Sequence, residues 1–437
     1  MSISRRNLLI SGAALGATAA AGFLSWELSK LKTKARIVIA GGGAAGIGIA
    51  NKLQMYLDGA QITVVDSRPY HWYQPGQTLL LAGAYKNREE VISDNQSYIN
   101  ADIHWVTANV VDFDPDHNRI MTDTNDSLEY DYLIVATGLE LRYDLIEGLD
   151  PQQIGRDGIA SIYLSPEAGI QSHQQALDFA QSSGGQALFT RPNGAMKCAG
   201  APMKATNLVE FFVRQGGHRE QFKFDYMTAE NMLFSVKQFD NRLRDIWLER
   251  EITPHYQHEL TAIDSSTKQA WFSTPDGSQV QQAWDFIHVV PPMSAIPAVR
   301  NSVLADQSKF KGYLEVDPYS LQHKRYPNVF GLGDIVGTPI GKTAASVKAQ
   351  LPVVAHNLVA LMRDEPMTAQ WNGYTSCPMI LDVGHAMLWE FDYSMQPVTA
   401  LPFEVVDPLE KSQLAWVMEK SLIRPVYDAM LMGYTPI

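Results

Sequence analysis

The chain has 437 residues, of which 46% are apolar and 19% are charged, a composition typical of a globular protein with two or three domains. Its formal net charge of -12 and the lack of a basic stripe argue against a nucleic-acid partner. The 11 histidines are scattered without metal-ligand spacing, so we predict no metal site.

Residues 1–34 have the layout of an export signal. Arg5 and Arg6 precede an apolar run, rich in alanine and glycine, from Leu8 to Leu24. Adjacent arginines before such a run predict a twin-arginine signal, and the run lies at the lower edge of the length that crosses a bilayer. A cleaved signal and an uncleaved anchor both stay open. Either one places the protein at the periplasmic face of the cytoplasmic membrane.

The next segment has the layout of a dinucleotide-binding unit. A strand (residues 36–40) is followed by a glycine turn (Gly41, Gly43 and Gly46) and a helix (residues 44–57). A second strand (residues 61–65) then ends at Asp66. The glycines allow a tight turn, a close approach of backbone to pyrophosphate and close helix packing, and the helix N-terminus favours phosphate. Asp66 is placed to accept hydrogen bonds from a ribose. This unit alone does not distinguish FAD from NAD.

Two later strands favour FAD. Residues 132–138 end in Thr137 and Gly138, and residues 328–334 end in Gly333 and Asp334. In flavoproteins with two dinucleotide domains, the first of these strands lies beneath FAD and the second brings an aspartate to the ribityl chain and the flavin. We therefore predict an α/β fold with two Rossmann-like domains. The FAD-binding domain comprises residues 35–150 and 291–365.

Residues 151–290 are predicted to form the second Rossmann-like domain, without its nucleotide fingerprint. Its first strand, residues 186–190, runs into Pro192, which removes an N–H group from the turn. The spacing of Gly194 and Gly200 does not fit a glycine triplet, so we expect no nicotinamide nucleotide here. Cys198 lies where that turn would be. The two cysteines of the chain, Cys198 and Cys377, on their own suggest a structural disulfide in an exported protein, and this position shifts the expectation for Cys198 toward redox chemistry.

Several stretches resemble sulfide:quinone oxidoreductases of the FAD and disulfide reductase superfamily, above all the two-cysteine branch with the mitochondrial enzyme. They are residues 71–75 (HWYQP), 197–204 (KCAGAPMK), 290–293 (VPPM), 326–331 (YPNVFG), 342–345 (KTAA) and 373–378 (GYTSCP). By position, the resemblance implies noncovalent FAD with contacts at Gly42, Gly43, Asp66, Gln74, Val110, Asp334 and Lys342.

The resemblance also implies that Cys198 and Cys377 form the redox pair. Hydrosulfide opens their disulfide, Cys377 carries the sulfur, and Cys198 is the thiolate that reacts with the flavin. A helix starting near Pro202 would turn Lys204 toward the site, where it lowers the pKa of Cys198; a solvated lysine is the open alternative. Lys197 is expected at the surface.

Residues 366–437 are predicted to form a C-terminal region with Cys377 and amphipathic helices that face the membrane. Residues 412–434 have an apolar face near Lys411, Lys420 and Arg424, and Pro425 is expected to divide them into two short helices. A core-packing or dimer helix is the open alternative, and the oligomeric state is left open. Phe391 and Tyr393 are candidates to line a quinone pocket, although an alternating strand pattern explains them equally well.

The predicted activity is oxidation of sulfide with membrane quinone as the electron acceptor. One alternative is a sulfide dehydrogenase of the flavocytochrome c type, which donates electrons to a cytochrome c. Gln74 favours the quinone enzyme, because the flavocytochrome subunit attaches FAD through a cysteine near that position. The other alternative is a flavin-binding protein with a structural disulfide. The sulfur acceptor is left open.

Overall fold

The computed structural model describes residues 30–399 and 406–435. Most of the predicted export signal therefore lies outside the described residues. Strand β1 (Leu31–Lys32) pairs in parallel with β3 (Leu57–Asp58), so the fold includes residues ahead of the predicted boundary at residue 35.

Five parallel strands form the sheet of the first layer. From edge to edge they are β22 (Val329–Gly331), β11 (Tyr132–Val135), β2 (Arg36–Ala40), β4 (Gln61–Val65) and β7 (His104–Val106). Their apolar side chains are buried on both faces, as expected of a parallel sheet covered by helices. Helix α1 (Ala44–Tyr56) packs on β2 and β4 and on α7 (Ala344–Met362). The strand–turn–helix–strand order predicted for residues 36–66 is confirmed.

A second parallel sheet is built entirely from residues 159–288. Its order is β13 (Ile159–Ala160), β20 (Phe286–His288), β14 (Gly185–Arg191), β15 (Phe222–Thr228) and β16 (Ile252–Tyr256). Three longer helices accompany it: α3 (Pro166–Ala180), α4 (Ala201–Gly216) and α5 (Lys237–Glu249). Helix α4 begins beside Pro202, as predicted, because the fixed φ of proline suits the first turn of a helix.

Smaller elements connect and flank the two sheets. The strands are β5 (Tyr70–Trp72), β6 (Ile92–Asp94), β8 (Val110–Asp114), β9 (Arg119–Thr122), β10 (Ser127–Glu129), β12 (Glu140–Leu141), β17 (Glu259–Asp264), β18 (Gln269–Ser273), β19 (Gln279–Ala283) and β21 (Met293–Ser294). Two short helices are α2 (Gln77–Leu81) and α6 (Pro297–Arg300).

The C-terminal region adds a hairpin and a bent helical segment. Strands β23 (Thr375–Asp382) and β24 (His385–Phe391) pair in antiparallel, and β23 packs on α4. Helices α8 (Gln413–Val417) and α9 (Ile423–Leu431) are joined by a π turn at Met418–Leu422.

The predicted break at Pro425 is wrong. Pro425 lies in the first turn of α9, where the missing N–H group costs little, and the irregularity is the π turn that precedes it. Between residues 30 and 399 and between 406 and 435, no helix combines the length and the apolar character needed to cross a membrane.

Candidate active site

A cavity of about 380 Å³ lies where the first sheet, the loop before α4 and the C-terminal helices meet. Eleven of the predicted site residues contribute to its lining: Gly42, Gly43, Gln74, Thr137, Gly138, Cys198, Lys204, Gly333, Asp334, Lys342 and Cys377. They come from the glycine turn, the turn after β5, the carboxyl ends of two strands of the first sheet, the loop and first turn of α4, the segment before α7, and β23. The fold thus gathers residues that are far apart in sequence.

The two cysteines are in contact within this cavity. Both are free, and the Cys377 thiol donates a hydrogen bond to the Cys198 sulfur. Cys377 is held on β23 opposite Trp389, and only 4% of it is exposed. The sequence separates the two thiols, so β23 and the loop before α4 bring them together.

The backbone of Cys198 is fixed on both sides. Its N–H group donates to the Lys342 carbonyl oxygen (2.9 Å), and its own carbonyl accepts from the N–H group of Ala201 (2.8 Å) and the hydroxyl of Tyr163 (3.1 Å). These contacts hold the residue at a φ of 47°, in the left-handed region that is unusual for a residue other than glycine. Such a conformation persists where surrounding contacts determine it, as is common at functional sites.

The surroundings of the two thiols lower the pKa of Cys198 and raise the pKa of Cys377. The hydrogen bond from Cys377 lowers the pKa of Cys198 to about 6; burial opposes this and the Lys204 ammonium reinforces it. The same hydrogen bond, together with burial, raises the pKa of Cys377 well above its usual value. Cys198 is therefore the thiolate of the reduced pair at neutral pH.

Lys204 and Glu419 form a buried pair of charges beside the cysteines. Lys204 projects from α4, Glu419 from the π turn, and the Lys204 Nζ lies 3.9 Å from the Glu419 Oε1. Each residue is only 3% exposed. Burial raises the pKa of Glu419 to about 7, although Lys204 opposes the shift. Burial also acts to lower the pKa of Lys204, but the two cysteines and Glu419 outweigh it, and the pKa of Lys204 is raised.

The glycine turn has the geometry that a pyrophosphate requires. Gly41 has a φ of 106°, and a Cβ there would lie 2.4 Å from the Ala136 carbonyl oxygen. At Gly46 a Cβ would lie 1.8 Å from the Gly41 carbonyl oxygen, so α1 can approach the turn only because this residue has no side chain. The N-cap residue of α1 is Gly43, which has no side chain to cap the helix, so the first N–H groups are suited to an anion.

Other polar groups around the cavity also fit FAD. The Thr137 Oγ1 is buried and has no hydrogen-bond partner among the described residues. Burial raises the pKa of Asp334, against the opposing charges of Lys342 and Lys197. Burial lowers the pKa of each lysine to about 8. A polar, hydrogen-bonding molecule with an anionic part suits this set of donors and acceptors.

Asp66 lies behind the cavity lining and is bound within the protein. Its carboxylate accepts hydrogen bonds from the Gly42 N–H group (2.7 Å) and from the Arg68 guanidinium (2.7 Å and 3.0 Å). Burial tends to raise the pKa of Asp66, but Arg68 and the backbone N–H groups lower it overall. The predicted ribose acceptor thus also orients Arg68, which does line the cavity.

Gly41, Gly46 and Asp66 lie behind the lining, and three further predicted residues lie away from the cavity. Val110 begins β8 and packs in the core. Phe391 is buried against Phe234 and Phe239, and the Tyr393 hydroxyl donates to the Pro318 carbonyl oxygen. For Phe391 the strand-pattern alternative describes the structure, because Phe391 ends β24 with its side chain turned into the core, whereas Tyr393 lies beyond that strand.

Sequence reasoning missed several residues of the lining. Arg68, Tyr163, Glu419 and Tyr427 were not predicted, and Lys197 was expected at the surface but is half-buried at the cavity. Glu419 carried a usable signal. It is an acid within the otherwise apolar stripe of the C-terminal helices: Ala415, Trp416, Ile423, Tyr427, Met430 and Leu431. Buried charges of this kind are costly and often functional.

Known proteins with similar sequences and structures agree with one another. A model of the family "Pyridine nucleotide-disulphide oxidoreductase" matches residues 35–164. The mitochondrial sulfide:quinone oxidoreductase of Dictyostelium discoideum is 34% identical over 93% of this chain and 88% of its own length. That of Mus musculus is 34% identical over 92% of this chain and 88% of its own length.

The solved structure of the sulfide:quinone oxidoreductase from Aquifex aeolicus has a TM-score of 0.75, with 20% identity, and covers 92% of each chain. This likeness establishes a shared α/β fold. The two mitochondrial relatives, similar over nearly the whole chain, identify its sequence family. The chain belongs to the sulfide:quinone oxidoreductase family.

Proposed function

We propose that this protein is an FAD-dependent sulfide:quinone oxidoreductase that works through Cys198 and Cys377. Membership of the family supports the activity. The observation that carries the proposal for this chain is the contact between the two thiols in the cavity formed by the dinucleotide turn. A disulfide between them is the electrophile that sulfide attacks, and its reduction is the point at which electrons enter the protein.

FAD would be held by the glycine turn and the two strand ends. Gly42, Gly43 and the N-terminus of α1 would hold its phosphates, and Thr137, Asp334 and Lys342 would offer hydrogen bonds and charge to the remainder. Bound there, FAD supplies the two-electron chemistry that links the cysteine pair to quinone. Gln74 lines the cavity and provides no thiol for a covalent link, so the cofactor is noncovalent.

The acidities of the two thiols favour one direction of attack. In thiol–disulfide exchange, the sulfur whose thiol has the lower pKa leaves faster. Cys198 has the lowered pKa and Cys377 the raised one. Hydrosulfide therefore attacks the Cys377 sulfur, a new sulfur–sulfur bond forms there, and Cys198 departs as a thiolate beside Lys204.

The test is the visible spectrum of the purified protein under anaerobic conditions, before and after one equivalent of sulfide. We expect the flavin absorbance of the wild type to bleach, and that of Cys198→Ser to stay unchanged with FAD still bound. A wild type that does not bleach would leave only a flavin-binding module. Preference for cytochrome c over a soluble quinone analogue as oxidant would favour the flavocytochrome type.

A peripheral membrane contact is the second part of the proposal. The C-terminal helices and the residues after them bury Trp416, Tyr427 and Met430, yet they expose six apolar side chains: Leu414, Val417, Leu422, Val426, Met432 and Tyr434. Lys411 and Lys420 are exposed beside them. An apolar face flanked by lysines suits a helix that lies in a bilayer interface rather than across it.

Vesicle flotation tests this contact. Leu422→Glu with Val426→Glu should abolish binding of the full chain to vesicles that contain anionic lipid. Leu248→Glu is the matched control, because Leu248 is 81% exposed on α5, away from these helices. Equal binding of the two variants would refute the membrane contact.

For the N-terminal segment we propose twin-arginine export to the periplasmic face. Arg5 and Arg6 before the apolar run support this proposal. A reporter fused to residues 1–35 should be exported, and replacement of both arginines by lysine should retain it in the cytoplasm. Export that is indifferent to the replacement would exclude this route.

A further inference from the structure

Glu419 is an acid in a position where burial disfavours charge. The helical segment that carries it turns Ala415, Trp416 and Tyr427 inward, and Glu419 lies on the same buried face. The neighbouring Lys420 is exposed. The π turn, a feature often found at functional sites, directs this carboxylate into the cavity that holds the two cysteines.

Several elements surround the carboxylate. Lys204 faces it from α4, and the thiol of Cys198 lies close enough to raise its pKa. The other titratable groups that sense its charge are Cys377 on β23, Tyr73 before α2, and Tyr85 after α2. Its separation of 3.9 Å from Lys204 exceeds that of a direct hydrogen bond. The carboxylate is therefore paired in charge but still has the capacity to accept a proton.

We propose that Glu419 accepts the proton that hydrogen sulfide loses when it attacks the cysteine pair. This inference rests on the proposed function and names the base of its first step. In acidic to neutral solution much of the sulfide is neutral hydrogen sulfide, whereas the deprotonated form is the nucleophile. A base next to the disulfide resolves this conflict.

Atoms and charge are conserved when Glu419 acts as the base in this step. Hydrogen sulfide gives one proton to the Glu419 carboxylate, and the resulting hydrosulfide attacks the Cys377 sulfur. A sulfur–sulfur bond forms at Cys377, the bond between the two cysteines breaks, and its electron pair stays on Cys198 as a thiolate. The disulfide is the oxidant, and Lys204 stabilises the charge that moves from Glu419 to Cys198.

The acidity of Glu419 suits this role. Because burial raises its pKa to about 7, the carboxylate is half ionised near neutral pH and accepts a proton more readily than an ordinary glutamate. A structural partner of Lys204 would require no such shift. The neutral variant Glu419→Gln therefore separates the two roles, since it removes the base and keeps nearly the same volume.

The experiment follows flavin bleaching by limiting sulfide in an anaerobic stopped-flow instrument between about pH 6 and pH 9. Loss of a general base costs on the order of 100-fold in rate, so we expect that loss in Glu419→Gln up to about pH 7. The loss should shrink toward parity by about pH 9, because sulfide then enters already as hydrosulfide. Glu410→Gln, an exposed acid ahead of α8, is the matched control and should follow the wild type.

A second variant at Glu419 controls for the possibility that Glu419→Gln fails to fold. Glu419→Asp retains the charge that faces Lys204 and should show a smaller loss with the same dependence on pH. A loss of equal size at every pH, in either variant, would assign Glu419 to electrostatic support and overturn the proposal. A defect confined to reoxidation by quinone would also overturn it. A wild type that sulfide does not bleach would instead refute the proposed function itself.

Discussion

Substitution of Gly200 by alanine tests whether contact between the two cysteines is required. Gly200 immediately precedes α4 and has an ordinary backbone, with a φ of -82°. A Cβ built on it would lie 2.4 Å from the Cys377 Sγ and 3.3 Å from the Met379 Cε. The substitution therefore acts through one sulfur atom rather than through backbone strain.

The expected losses of stability and rate follow from the 2.4 Å distance between the added Cβ and the Cys377 Sγ. An ordinary contact needs about 3.5 Å between heavy atoms, so the Cys377 sulfur must retreat by about 1 Å. Cys377 is buried on a strand paired along β24, so either its side chain rotates away from Cys198 or β23 shifts. Overpacking of this kind costs about 1–3 kcal/mol of stability. Misplacement of a reacting atom by about 1 Å costs on the order of 100-fold in rate.

The assay is stopped-flow bleaching of the flavin by sulfide, with a thermal melt of the same samples. Gly216→Ala, at the other end of α4, is the control, because its Cβ meets only the Ala180 carbonyl oxygen at 3.1 Å. We expect Gly200→Ala to bind FAD and bleach roughly 100-fold more slowly, and Gly216→Ala to match the wild type. Wild-type bleaching in Gly200→Ala, with a normal FAD content, would refute the requirement for contact.

Two further predictions concern the charges around the site and in the core. The rate of alkylation of the reduced protein by iodoacetamide, measured as a function of pH, should show a thiolate with a pKa of about 6 at Cys198. Lys204→Met should raise this pKa. An unchanged pKa in the variant would show that Cys198 does not sense the charge of Lys204. Glu210 is buried between Arg214 (3.1 Å), Arg219 (3.6 Å) and Arg250 (3.4 Å). Glu210→Ala should therefore lower the free energy of unfolding, measured in denaturant, by about 3–5 kcal/mol. Flavin bleaching in the folded variant should not be slowed. A decrease in the free energy of unfolding below about 1 kcal/mol would contradict a stabilising role for this ion cluster.

Local sequence patterns predict the dinucleotide unit because its determinants are local. Gly41 and Gly46 are required within a single turn, and the strands on either side are short apolar runs. The start of α4 is readable for the same reason, since Pro202 fixes the first turn. The placement of Lys204 at the cavity then follows from helix geometry.

The remainder of the site depends on tertiary contacts that no local spacing encodes. Cys377 reaches Cys198 through the packing of β23 on α4, and only the family resemblance implied that pairing. Phe391 and Tyr393 fit a strand as well as a pocket, and the packing of β24 turns Phe391 into the core. Pro425 suggested a break, but the π turn before it depends on how the C-terminal helices dock against α1 and α7.

Hydrogen bonds at the junction of the two sheets also fix the position of Cys198. In the second sheet, β14 leads into Pro192 and a loop that carries Cys198 ahead of α4. The N–H group of Cys198 donates to the Lys342 carbonyl oxygen, and this bond ties the loop of the second sheet to the segment before α7 at the cavity. The left-handed backbone conformation of Cys198 is maintained by its hydrogen bonds with Lys342, Ala201 and Tyr163. Under the proposed mechanism, electron entry therefore relies on contacts between the two sheets, so sulfide chemistry should fail before FAD binding when that junction is weakened.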